Sequence, residues 1–179
     1  MRSLIGLAAA LALAASAAAA PAPAPPKSVP FDPKTQVDGA ILQVIFGERA
    51  VFRIDDAGLP VLDAVEKGKL AAAHPPGTAK ETYAAPGPGL LAAALDGSAE
   101  VKASKLKVWN HTGRPIEYTA HVLVLDGEAL HPVAVSPCPV PAGGVRTESW
   151  PAPIVAVGLT GFKAATAAAL ARPACRKGK

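Results

Sequence analysis

IEYTAHVLVLDGEALHPVAV, residues 116–135, carries the clearest structural signal in the chain. Ile116, Tyr118, Ala120, Val122 and Val124 alternate with Glu117, Thr119 and His121, the period of a strand with one buried face. Asp126-Gly127 follows, a dipeptide suited to a two-residue hairpin turn because glycine accepts positive φ without a Cβ clash. Such a turn pairs Val124 with Ala129, Val122 with His131, Ala120 with Val133 and Tyr118 with Val135. One face is then apolar almost throughout, and a slip of one residue would put Val133 and Val135 on the wrong side.

Two further hairpins are expected upstream. In 40–55, Leu42, Val44, Phe46, Ala50, Phe52 and Ile54 share a face only if the loop is odd, which selects Gly47-Glu48-Arg49 and pairs Leu42 with Ile54 and Val44 with Phe52. In 89–110, a two-residue turn at Asp96-Gly97 pairs Ala94 with Ala99, Ala92 with Val101 and Leu90 with Ala103, and the opposite face sets Glu100 and Lys102 toward solvent. Apolar parity then changes toward Leu106 and Val108, which asks for a bulge near Ser104-Lys105 or a strand that passes between sheets. Trp109 falls on the face opposite Val108, as a ligand platform or as the cover of a second buried layer, and the second reading is preferred.

Proline interrupts the chain after the central hairpin, at Ser136-Pro137-Cys138-Pro139-Val140-Pro141 and at Trp150-Pro151-Ala152-Pro153. Proline's missing N–H excludes continued central-strand pairing, so these segments are corners or edges. Val145–Trp150 reads as one strand, and Ile154–Leu159, apolar on both faces, as the most covered one. Residues 162–170 suggest a short Ala-rich helix. Residues 59–85 show no decisive period and fit a helix, a strand or an irregular wrap. The fold expected is all-β: an antiparallel β-sandwich of broadly immunoglobulin-like architecture over 37–172, with a short C-terminal helix and a possible subdomain boundary at 86–89. A basic tail, 173–179, follows.

Upstream, Met1–Ala20 has one positive residue, Arg2, then an apolar run and small residues offering A-x-A sites, the pattern of a signal peptide. Residues 21–36 form a Pro-rich spacer. This points to bacterial-type export, to the periplasm or outside the cell, with no stable membrane insertion once the leader is cleaved. The two cysteines, Cys138 and Cys175, are expected to pair.

Composition limits the function classes. Lys and Arg number 18 against 14 Asp and Glu, a net charge of +4 with no basic surface interleaved with aromatics, so no nucleic-acid partner is expected. The four histidines lack metal-ligand spacing, and His121 and His131 project from opposite faces of their hairpin, so no metal or other cofactor is expected. G-x-S-x-G, S-x-x-K and phosphate-loop patterns are missing. Glu117 and Glu148, the carboxylates to consider for glycoside hydrolysis, sit in alternating strands where an outward position is expected. Asn110-His111-Thr112 matches a glycosylation acceptor but is accounted for as a turn. The function expected is non-catalytic binding of an unknown protein or envelope component, with Trp109, Trp150 and Tyr118 as candidate binding residues. The alternative is an exported hydrolase with a carboxylate-based site.

Overall fold

Alternation of the kind seen at 116–135 recurs through most of the chain. In the computed structural model, which describes residues 32–126 and 129–176, it produces two five-stranded antiparallel sheets packed face to face. The strands are β1 (Gln36–Asp38), β2 (Ile41–Ile45), β3 (Glu48–Ile54), β4 (Pro60–Lys67), β5 (Leu91–Ser98), β6 (Ala103–Asn110), β7 (Ile116–Asp126), β8 (Ala129–Val135), β9 (Gly144–Trp150) and β10 (Ile154–Ala164). The first sheet has the order β1-β2-β10-β7-β8 and the second β4-β3-β5-β6-β9. This is the all-β sandwich expected. The leader, most of the spacer, Gly127 of the expected turn and 177–179 lie outside the described residues.

Between the sheets, Leu42, Val44, Ala120, Val157 and Leu159 of the first meet Ala50, Phe52, Ala93, Leu95, Leu106 and Val108 of the second. Phe162 sits among them, its ring 5.4 Å from that of Phe52 and 5.8 Å from that of Tyr118. With alanine at several of these positions, each buried site removes less area from water than a larger side chain would, and the three rings supply volume that the alanines do not.

Three registers differ from those expected. β2 and β3 are not a hairpin: the chain leaves one sheet for the other between them. Phe46 donates its N–H to the Val155 carbonyl of the first sheet at 3.0 Å, and Gly47 donates to Leu95 of the second at 2.8 Å. Leu42 and Val44 do share an interior with Ala50 and Phe52, but from opposite walls. A parity argument cannot separate strands side by side from strands facing one another. β5 and β6 pair from Leu91↔Asn110 to Ser98↔Ala103, so residues 99–102 make the turn, with Lys102 at φ 52°. Asp96-Gly97 lies inside the strand. Ala99 and Val101 never enter the sheet, which removes the change of parity and the need for a bulge at Ser104-Lys105. β7 and β8 pair Val124 with His131, Val122 with Val133 and Ala120 with Val135, two residues from the expected register. A shift of two preserves every face, so His121 and His131 remain on opposite sides.

Asp96 explains why its dipeptide is not a turn. Only 4% exposed, its carboxylate accepts the Leu70 N–H at 2.7 Å and the Gly97 N–H at 2.8 Å, with His74 Nε2 at 3.1 Å. It thereby fastens the 68–90 segment, which contains one 3₁₀ turn (Ala71–Ala73), onto the outer face of the second sheet. Residues 59–85 are thus an edge strand, a short helical turn and an irregular wrap in succession. Beneath the wrap lies a second apolar layer of Val51, Leu70, Ala73, Tyr83, Ala92, Ala94 and Trp109.

At the C-terminal end β10 runs to Ala164, beyond the expected helix start at 162. Gly161, at φ 65°, takes up the irregularity between Thr160 and Lys163, and Phe162 stays in the core. The helix is confined to α1 (Ala167–Leu170), where Thr166 Oγ1 accepts the Ala169 N–H. A final turn, α2 (Pro173–Arg176), carries Cys175 to Cys138, with 5.3 Å between their Cα atoms.

Candidate functional site

Where the chain changes sheets at Phe46, the sandwich is open. Three elements surround the opening: the end of β2, the 99–102 turn with its flanking residues, and the Pro151-Ala152-Pro153 connection from β9 to β10. Together they form a groove of about 540 Å³, within the range of small-molecule sites. Its walls are Phe46, Ala99, Ala103, Pro151, Ala152 and Pro153, with Gly97 on the floor. A Cβ on Gly97 would stand 3.2 Å from the Phe46 ring and 2.9 Å from the Ala103 carbonyl, so glycine allows that ring to lie close against the hairpin. Phe46 remains 46% exposed.

Polar groups in the groove are few. The Ser104 hydroxyl donates to the Ala152 carbonyl and accepts the Ile154 N–H, each at 2.9 Å. The Pro153 carbonyl accepts the Leu125 N–H. Lys102 is the one charged residue lining the groove, and it makes no ion pair among the described residues.

A second, more polar hollow of about 360 Å³ lies beside the disulfide, with Glu117, Tyr118, Ser136, Lys163 and Arg172 among its walls. Its charges are engaged. Lys163 pairs with Glu117 at 3.1 Å, and Arg172 donates to the carbonyls of Ser136, Pro137 and Ala169.

Trp109, Trp150 and Tyr118 are not gathered at either concavity. Trp109 is 5% exposed in the second layer, where it covers β5 as the preferred reading expected. Its ring lies 5.4 Å from the Arg49 guanidinium and 4.7 Å from Lys107 Nζ. Arg49 also stacks on Tyr83 at 4.9 Å and donates through Nε to Glu66 at 3.0 Å. Burial, and then the negative charge of Asp96, push the Tyr83 phenol up to about 12, against a smaller opposing pull from Arg49. Trp150 is half-buried opposite Ser104 and packs against the inter-sheet core. Tyr118 contributes to the polar hollow but is 7% exposed, and its hydroxyl has no hydrogen-bond partner among the described residues. Its pKa is raised, chiefly by burial and secondarily by Glu148.

Glu148 does not point outward. It stands opposite the fully buried Leu106, half-buried on the inner face of β9, and accepts the Cys138 N–H at 2.9 Å. β9 is an edge strand, so its inner face can carry Arg146 and Glu148 while Val145 is exposed outside. Glu117 is in the other sheet. No cluster of three potential metal ligands occurs among the described residues, nor is any described helix long and apolar enough to cross a membrane.

Asn110, 1% exposed, is a structural junction. Its amide donates to the carbonyls of Arg114, Val140 and Pro141, while Oδ1 accepts from Thr112 N–H and hydroxyl.

The groove residues Phe46, Lys102 and Ala152 escaped the sequence reading, which put Phe46 in a hairpin core and Lys102 on a solvated face. The available signal was the Trp-Pro-Ala-Pro corner, where a break in pairing marks an open end. Comparison of the chain with protein-family models, curated proteins and solved structures gives no match in any of the three.

Proposed function

We propose that this chain is an exported, non-catalytic binding protein of the cell envelope, and that the open end of its sandwich is where it binds. The observation carrying this reading is the groove itself: apolar walls, a projecting aromatic ring and, among the described residues, one cation without an ion pair and no carboxylate or imidazole in the lining. A concave, mostly apolar site with few polar groups suits retention of a ligand. Acid–base hydrolysis needs two convergent titratable groups. The leader-like N-terminus and the Cys138–Cys175 bridge support placing the protein in an oxidising compartment.

Protein purified from the export compartment, denatured and extracted with organic solvent, should release a small molecule detectable by mass spectrometry at near-stoichiometric yield. Turnover of generic ester or glycoside substrates that disappears in Glu117→Gln or Glu148→Gln would overturn the proposal in favour of a carboxylate hydrolase.

A further inference from the structure

We infer that the groove at the open end takes a single-chain anionic amphiphile, a fatty carboxylate, with its alkyl chain along Phe46, Ala103 and the two prolines and its head on Lys102. This rests on the binding reading above and names the class of ligand.

The walls argue for an alkyl chain over a peptide. A peptide brings N–H and C=O groups that need partners when covered. Pro151 and Pro153 offer no N–H groups, the Ala152 and Pro153 carbonyls already accept from Ser104 and Leu125, and the Ser104 hydroxyl is used in both directions. The connection therefore offers one N–H, that of Ala152, between two prolines, too few for a strand edge. An alkyl chain makes no such demand and gains from covering Phe46, a ring already held against Gly97.

Charge complementarity fixes the head. Lys102 is exposed at the rim and, among the described residues, has no carboxylate within ion-pair reach. It is also the one non-glycine residue with positive φ among those described, at 52°, in the turn where its N–H donates to the Ser98 carbonyl. Glycine would hold that conformation with less strain. A lysine held in a conformation it disfavours, at the one charged position among the described residues of the groove, is the kind of backbone strain found at ligand clamps.

Calorimetric titration of the folded chain with decanoate, 1-decanol and decyltrimethylammonium tests this. Decanoate should bind at one site per chain, roughly fivefold more tightly than decanol, as expected for one solvent-exposed charge contact, and the ammonium analogue should be weakest. Lys102→Gly should abolish the preference for decanoate while melting no lower than the unsubstituted chain, because glycine is at ease at this φ. Phe46→Ala, at an exposed position, should weaken all three about tenfold through lost apolar contact. Equal affinity for decanoate and decanol, an unchanged preference in Lys102→Gly, or no saturable binding would each overturn the inference. Recovery of an unrelated ligand from the envelope extraction would leave the binding reading standing without this one, whereas substrate turnover would remove the binding reading itself.

Discussion

Replacing Asp96 by Asn separates two accounts of Asp96-Gly97. As a hairpin turn, the dipeptide would tolerate the change, since Asn-Gly is at least as good a turn former, and the effect would fall within about 0.5 kcal/mol. As a buried acceptor it would not. Asp96 presents both oxygens to donors, taking the Leu70 N–H and His74 Nε2 on one and the Gly97 N–H on the other. An amide has one acceptor oxygen, so its NH₂ must face a backbone N–H, leaving that donor buried and unsatisfied at a cost of ~1–3 kcal/mol. The surviving bond also loses its charge assistance, a further ~1 kcal/mol. The sum is about 3 kcal/mol, and at a urea m value of ~2 kcal/mol/M it lowers the midpoint by ~1.5 M. Because the Leu70 bond fastens the wrap, limited proteolysis should also cut Asp96→Asn faster within residues 68–85. A midpoint within about 0.3 M of the original, with unchanged proteolysis, would refute the assignment of Asp96 as the anchor of the second layer.

Three other outcomes are expected. Cys138→Ser with Cys175→Ser opens a loop spanning 37 positions, so stability should fall by about 4 kcal/mol on the chain-entropy estimate. A melting temperature lowered by less than 3 °C would contradict that, and thiol titration of the unfolded, unreduced protein should find no free thiol. The raised Tyr83 pKa, about 12 against 10.0 in the unfolded chain, means that the unfolded chain ionises first. Its contribution to stability is therefore complete below pH 10 and lost as pH rises toward 12, a slope that Tyr83→Phe should diminish in melts across that range. Tyr118→Phe removes a buried hydroxyl with no partner among the described residues, and should leave stability unchanged or raise it by up to ~1 kcal/mol; a loss above 1 kcal/mol would show that the hydroxyl is engaged.

How far the fold could be read from sequence depended on whether a strand had one covered face or two. β7 is apolar on alternate residues, and its faces follow from the sequence even though its register with β8 was displaced by two. β5 has no such contrast: Leu91 through Gly97 are all buried, odd positions between the sheets and even positions under the wrap. Alternation then carries no register information, and the most turn-like dipeptide lies inside the strand. Trp109 did reveal the second layer, because an aromatic opposite an inward valine requires a cover. The sheet switch at Phe46-Gly47 was hidden for a related reason: Leu42, Val44, Ala50 and Phe52 produce the same parity as neighbours or as opposite walls.

The groove exists because of that ambiguity. A hairpin at 47–49 would have closed this end of the sandwich and buried Phe46, whereas the observed switch divides consecutive N–H groups between two sheets and leaves the ring half outside. The site is set by connectivity: a strand that crosses over, a turn displaced from Asp96-Gly97 to 99–102, and a proline connection with too few N–H groups to continue a strand. None of these residues carries a local chemical signature. Phe46 reads as core, Lys102 as surface and Pro151 as a break until the two sheets bring them within one opening.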